Sequence, residues 1–191
     1  LYIEDNIEPV PGTNIIPGLR FDYLNESGGN FSPSLNLSQE LGDYFKVKAG
    51  IARTFKAPNL YQSSEGYLLS TRGNGCPNNV SEGSCYLLGN PDLDPEISVN
   101  KEIGLAFALE GYEAGITWFR NDYKNKIVSG TDVLGQTSSG ANILQWQNGG
   151  KAVVEGLEGN LTVPVIRDTL TWRTNATYMI QSESKDTGNP L

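Results

Sequence analysis

The chemistry open to this chain is narrowed first by what it lacks, since none of its 191 residues is histidine. Ser-His-Asp triads, His-ligated zinc and imidazole general bases are therefore excluded, and most common hydrolases with them. Two cysteines, Cys76 and Cys85, lie in a stretch rich in Gly, Asn, Ser and Pro. That setting favours a disulfide in an oxidising compartment over a metal clip, which needs three or four ligands. Closing a ring of about ten residues would remove about 2.5–3 kcal/mol of denatured-state entropy and hold a surface loop in shape. Asp92-x-Asp94-x-Glu96 has the start of a calcium-loop spacing, but Ile97 and Ile103 stand where such a loop needs its glycine and its terminal glutamate, so the run reads as a turn. Asp92 and Asp94 could serve a glycosidase, yet nothing sets their separation or raises a pKa, and no enzyme is expected. Taken alone, Arg72 reads as a solvated loop charge, and Tyr67 and Tyr86 as packing against the cystine. From Gln62 to Pro95 that arginine is set against Glu65, Glu82, Asp92 and Asp94, so a strongly cationic funnel would have to be built elsewhere.

The elements that must carry these residues are strands. Fourteen basic and 22 acidic residues leave a net charge of −8, which argues against nucleic-acid binding, an affinity built on Lys and Arg. An apolar fraction of 38% is low for a chain burying a large core, and 22 glycines with 10 prolines imply many turns. No window of about 18 apolar residues is present, so no membrane-spanning helix is expected, a result that leaves a membrane β-barrel open. The chain begins without an initiator Met or a signal peptide and is expected to be a piece of something longer.

Period-two alternation dominates. From Val99 to Leu109 one face carries Val99, Lys101, Ile103, Leu105, Phe107 and Leu109, with Lys101 the one break near the loop-side end; the other carries Asn100, Glu102, Gly104, Ala106 and Ala108. Similar runs give about eight strands, the first near Leu1 to Ile7. Connections alternate between short (Pro9 to Asn14, Gly42-Asp43, Glu110-Gly111, Ile166 to Thr169) and longer (Asn25 to Asn30, Tyr61 to Glu96, Val128 to Gly149). Short turns on one rim and long loops on the other describe an outer-membrane barrel. A soluble antiparallel sandwich shares the alternation. Strands of about 10–15 residues favour the barrel. So do Arg20, Asp22, Lys46, Lys48, Glu102, Glu158 and Arg173 on the polar face, and Phe45, Phe107, Trp118, Trp172 and Tyr178 on the apolar one. Asn-x-Ser/Thr sequons at Asn25, Asn30, Asn36, Asn79, Asn160 and Asn175 would carry glycans in a eukaryotic secreted protein and carry no meaning in a bacterial envelope.

Four stretches carry a specific resemblance: Arg53-Thr54-Phe55-Lys56-Ala57-Pro58-Asn59-Leu60, Asn100-Lys101-Glu102-Ile103-Gly104-Leu105, Thr117-Trp118-Phe119-Arg120-Asn121-Asp122-Tyr123-Lys124-Asn125-Lys126-Ile127, and Ala152-Val153-Val154-Glu155-Gly156-Leu157-Glu158-Gly159. With them the chain resembles TonB-dependent siderophore receptors of the bacterial outer membrane, of the ferric enterobactin (catecholate) type. The likeness implies an all-β fold in which residues 1–191 form a partial antiparallel transmembrane barrel, about eight strands of a 22-stranded wall. Residues 61–96 would be a disulfide-containing extracellular loop and residues 128–149 a second. A plug domain, a TonB box and a closing C-terminal strand are absent from this sequence, so the chain alone is not expected to transport, and its two outer strands should leave edges open to pairing.

The resemblance also implies function: binding of a ferric catecholate siderophore and import with energy from TonB, the wall lying in outer-membrane lipid. The ferric complex would be cargo, and no cofactor is implied. Such a complex satisfies all six iron positions, so the protein supplies cations, amide donors and aromatic faces instead of metal ligands. On this reading the siderophore-binding residues are Arg72, Asn74, Tyr67 and Tyr86, beside a Cys76–Cys85 disulfide. Asn74 departs from the glutamine the family pattern leads one to expect, which shortens its reach. The alternatives are a soluble β-sandwich binding or adhesion module and a passive porin.

Overall fold

The computed structural model describes residues 1–24, 28–72, 76–77, 84–167 and 169–185. Its elements in chain order are β1 (Tyr2–Glu4), β2 (Thr13–Leu24), β3 (Gly28–Leu41), β4 (Phe45–Lys56), α1 (Leu60–Ser63), β5 (Leu68–Ser70), β6 (Tyr86–Leu88), β7 (Glu96–Leu109), β8 (Tyr112–Lys124), β9 (Ile127–Ser129), β10 (Gly135–Gln136), β11 (Asn142–Asn148), β12 (Ala152–Ile166) and β13 (Leu170–Ser184). Eight of the strands form one antiparallel sheet in the order β1-β2-β3-β4-β7-β8-β12-β13, each long strand pairing with its neighbours in sequence. The sheet is open among the described residues, with β1 and β13 at its edges.

The alternation read in β7 sets the two faces of this wall. Ile103 pairs with Ala49 and Trp118, Leu105 with Val47 and Ile116, and Phe107 with Phe45 and Ala114, all on one side. Most of that side is open: Ile103, Leu105, Ile116, Trp172 and Tyr178 are exposed, as a face turned toward lipid requires. Phe45 and Phe107 stack at 5.2 Å near the turn-side rim. The opposite face carries Arg20 bonded to Asp22, with Lys46, Glu102, Asn160 and Arg173 at alternate positions.

Lys101, the break in the apolar face, has a partner. Register places it beside Arg120, which lies across from Glu155, while Asp122 is the next apolar-parity residue of β8. Lys101 Nζ lies 2.9 Å from Asp122, Arg120 reaches Asp122 at 3.1 Å and Glu155 at 3.0 Å, and Lys185 joins Asp122 at 3.2 Å. Trp118 Nε1 donates to Glu155 at 3.0 Å. The apolar band therefore ends loopward of Trp118 in a paired belt of charge, in line with an aromatic residue at the edge of a membrane interior. Replacing Asp122 by Ala leaves three cations converging on one missing carboxylate. In the whole barrel this is expected to cost about 1–2 kcal/mol, more than an exposed pair because several charged hydrogen bonds are lost together. Thermal unfolding in detergent reads the change; an unaltered midpoint would mean the belt is fully screened.

Turn chemistry explains the short rim. Glu110 and Gly111 both have positive φ (46° and 87°) between the paired Leu109 and Tyr112, the two-residue type I′ turn that suits strand twist. One expectation is corrected. The connection read as running from Asn25 to Asn30 is shorter, because Asp22, Tyr23 and Leu24 pair with Asn30, Gly29 and Gly28, extending the hairpin ladder to its tip. Gly28 and Gly29 read as loop residues in sequence, yet the ladder simply continues through them. The other two long connections are not bare loops, and they hold most of the buried apolar side chains among the described residues.

Candidate functional site

The connection from β4 to β7 leaves the wall at Ala57-Pro58 and turns at once into α1. Asn59 opens this helix, and the Gln62 side chain folds back to accept the Asn59 N–H at 2.9 Å, capping an amide the first turn cannot satisfy. Gln62 is buried, and its carbonyl accepts the Asn90 N–H at 2.7 Å. β5 and β6 then pair as an antiparallel ribbon, Leu68 with Leu88 and Ser70 with Tyr86. Beyond its Ser70 end, Cys76 and Cys85 form a disulfide. Thr71 closes that end: its N–H donates to the Cys85 carbonyl at 3.1 Å, while its hydroxyl bonds the same carbonyl at 3.0 Å and accepts from Cys85 N–H at 3.3 Å.

The second long connection supplies the partner. β9 and β10 pair antiparallel with β11, and β11 lies parallel to β6, with Ile143, Leu144 and Gln145 against Tyr86, Leu87 and Leu88. Five short strands from two loops thus make a second sheet. One face of it carries Leu69, Leu87 and Leu144 in a row with Cys85, flanked by Cys76 and Trp146. Leu144 and Cys85 have no exposed surface, and Leu87 is 1% exposed. Trp146 packs on Tyr61 with ring centroids 6.1 Å apart. Near the wall, Leu93, Ile127, Ala152 and Val153 are also buried.

Side-chain amides stitch the two loops. Asn90 Nδ2 donates to the Trp146 carbonyl at 2.9 Å and Gln145 Nε2 to the Gly89 carbonyl at 3.3 Å. Asn148 accepts the Asp94 N–H at 2.8 Å and donates to the Asp94 carbonyl at 2.9 Å. Glu96 ties the loop base down, accepting the Ile127 N–H at 2.8 Å and Lys56 Nζ at 3.0 Å. The acidic run is a turn, as its sequence implied: Asp92 N–H bonds back to the Asn90 side chain at 3.0 Å, and Glu96 is committed to Ile127 and Lys56.

Of the four residues with an expected ligand role, the platform brings Arg72 and Tyr86 to the disulfide end. Arg72 follows the Thr71 clasp, is exposed, and has a φ of 51°, a left-handed conformation that an arginine rarely adopts. Tyr86 alternates with the buried Cys85 and Leu87, so its ring takes the opposite face of the ribbon and stays half-buried. Tyr67 is exposed at the far end of β5, its carbonyl held by Gly89 N–H at 2.8 Å, and the ribbon strand between them carries it roughly 15 Å from Arg72. Asn74 lies outside the described residues. Sequence reasoning missed Gln62, Asn90, Gln145 and Asn148. The alternation of Leu144 and Trp146 with Gln145 and Gln147 was the available sign of a strand in the second loop.

An antiparallel wall with one apolar and one polar face, crowned at one rim by two loops that fold together, defines a segment of an outer-membrane barrel with an ordered external layer. All 191 residues match the family described as TonB dependent receptor-like, beta-barrel, and the chain belongs to that family. It is 66% identical over its whole length to the ferric enterobactin receptor PirA of Pseudomonas aeruginosa strain PAO1, of which it covers 26%. A crystal structure of the siderophore receptor PirA from P. aeruginosa superposes with a TM-score of 0.88 at 65% identity, over 95% of this chain and 34% of that one. A point mutant of the ferric enterobactin receptor PfeA from P. aeruginosa, solved in complex with enterobactin, gives a TM-score of 0.84 at 52% identity, over 100% of this chain and 28% of that one. The chain spans about a quarter of the length of the curated relatives it matches.

Proposed function

We propose that this chain is part of the wall and external loop layer of a receptor that binds a ferric catecholate siderophore of the enterobactin type and imports it with energy supplied through TonB. The observation that carries the reading is the 66% identity to a ferric enterobactin receptor in an alignment that spans all 191 residues. A barrel of this family lies in the outer membrane, and the apolar face of β7 and β8 meets its lipid. Residues 61–96 and 128–149 then face the outside, where the ligand arrives. The mechanism is capture and gating, with no bond made or broken by the protein. Because the complexed iron carries all its own donors, what the platform offers is chemically suited: Arg72 as a cation, Tyr86 and Tyr67 as aromatic faces, and Asn74 as an amide. The left-handed backbone at Arg72 is retained against a steric cost, as positions that aim a functional side chain often are.

The test is titration of a ferric tris-catecholate against the full-length receptor and its R72A/N74A variant. The variant is expected to bind about 1–3 kcal/mol more weakly, the range for charged hydrogen bonds lost from a binding site. Equal affinity would make both residues ordinary loop positions, and no binding by the parent receptor would remove the catecholate reading.

A further inference from the structure

We propose that Asn148 is a positioning residue: from the second long loop it sets the place of the disulfide loop, and so of Arg72 and Tyr86, without touching ligand. The proposal rests on the reading that this platform captures a ferric catecholate. Asn148 is the last residue of β11, paired with Ile127 where the second loop leaves the wall. Its side chain takes both backbone groups of Asp94, accepting the N–H at 2.8 Å and donating to the carbonyl at 2.9 Å, as a neighbouring strand would. The same Nδ2 donates to the Asn125 carbonyl at 3.0 Å, and Asn125 is itself left-handed, with φ of 54°. One amide therefore joins the β8–β9 turn, the end of β11 and the segment that leads into β7.

This junction matters because of how the two loops meet. β6 and β11 are parallel strands more than 50 residues apart in sequence, so no tight turn fixes their relative position. The contacts that hold 89–94 against 145–148 are Asn90 to Trp146, Gln145 to Gly89 and Asn148 to Asp94. Of these side chains Asn148 alone grips both backbone groups of one residue, and so both peptide units that flank Asp94, and it does so where the platform meets the wall. Loss of that grip frees both peptides that flank Asp94, the second of them joined to a proline with no N–H of its own, and lets the β6 side of the ribbon move relative to β11.

In the full-length receptor N148A is expected to raise the dissociation constant for a ferric tris-catecholate about tenfold, on the scale of coupling between a site and a residue remote from it. Maximal uptake at saturating ligand should stay at the parent level, since the wall is untouched. Amide hydrogen exchange without ligand should quicken at 86–94, in the other loop, while β7 and β8 keep their protection. N148D, which retains the acceptor for Asp94 N–H but has no donor for either carbonyl, should not rescue. Should N148A fail to reach the membrane, N148D, which also lacks the donor to both carbonyls, is read in the same way. Unchanged affinity and unchanged exchange at 86–94 would overturn the proposal. So would a uniform rise in exchange through the wall with loss of maximal uptake, which would make Asn148 a general stability residue. Failure of the parent receptor to bind the catecholate removes the ligand reading alone, because the exchange result stands without ligand.

Discussion

Reducing the Cys76–Cys85 disulfide is expected to destabilise the loop platform by about 2.5–3 kcal/mol, and C76A/C85A by more, while the barrel wall stays folded. The first contribution is entropic: the residues separate by nine in sequence, and freeing that ring returns conformational freedom to the open loop. The second is packing. Cys85 has no exposed surface and sits in the row of Leu69, Leu87 and Leu144, so its replacement by Ala also thins the only apolar cluster formed by both loops among the described residues. The wall is insulated because its ladders run between long neighbouring strands and take nothing from β5 or β6. In the full-length receptor, exchange or protease cleavage should rise in 61–96 and also in 142–148, through the parallel pairing of β6 with β11. Higher exchange in the first loop alone would show that the two loops are ordered independently.

A change of comparable size is expected from G89A. An ideal Cβ at Gly89 would stand 1.9 Å from the Ser64 carbonyl oxygen and 2.8 Å from its carbon. Both are backbone atoms of the segment leaving α1, so no side chain can swing away. The glycine is pinned from its own side as well: its N–H donates to Tyr67 and its carbonyl accepts from Gln145. The methyl group must displace either the α1 exit or the Gly89–Asp94 segment, at about 3 kcal/mol, the upper end of typical overpacking costs. Weaker ferric catecholate binding and faster exchange at 86–94 are the readouts. G135A, where nothing lies within 4 Å of the added carbon, is the matched control and should leave both unchanged. Equal behaviour of the two variants would mean that the α1 exit yields freely.

The wall was legible in the sequence because its physics is local. A strand with lipid on one side and water or protein on the other must alternate, and Val99 to Leu109 does so with the single exception of Lys101, whose reason lies on β8, in Asp122. Eight strands were readable by that rule, including the short β1, and the Glu110-Gly111 turn by its residue types. The loop platform was not readable in the same way. Apart from β11, whose alternation was the one sign, its strands are two or three residues long, too short for a periodic signal, and its parallel pairing joins segments with no turn between them. The amides that lock it, Asn90, Gln145 and Asn148, look like ordinary loop composition until their carbonyl partners are in place. The disulfide could be proposed from two cysteines and their surroundings; that it backs a core shared with a second loop could not. The siderophore reading came from resemblance, since Arg72 and Tyr86 taken alone read as a solvated charge and a packed ring.

Import of a ferric catecholate is read out by uptake of labelled iron. Iron-starved cells with and without the full-length receptor are given iron as a tris-catecholate or as a hydroxamate complex, with TonB present or deleted. Receptor-dependent uptake from the catecholate only, abolished without TonB, is the expected result. Uptake that does not depend on the receptor for either complex would leave the barrel wall standing and contradict the assignment of its cargo.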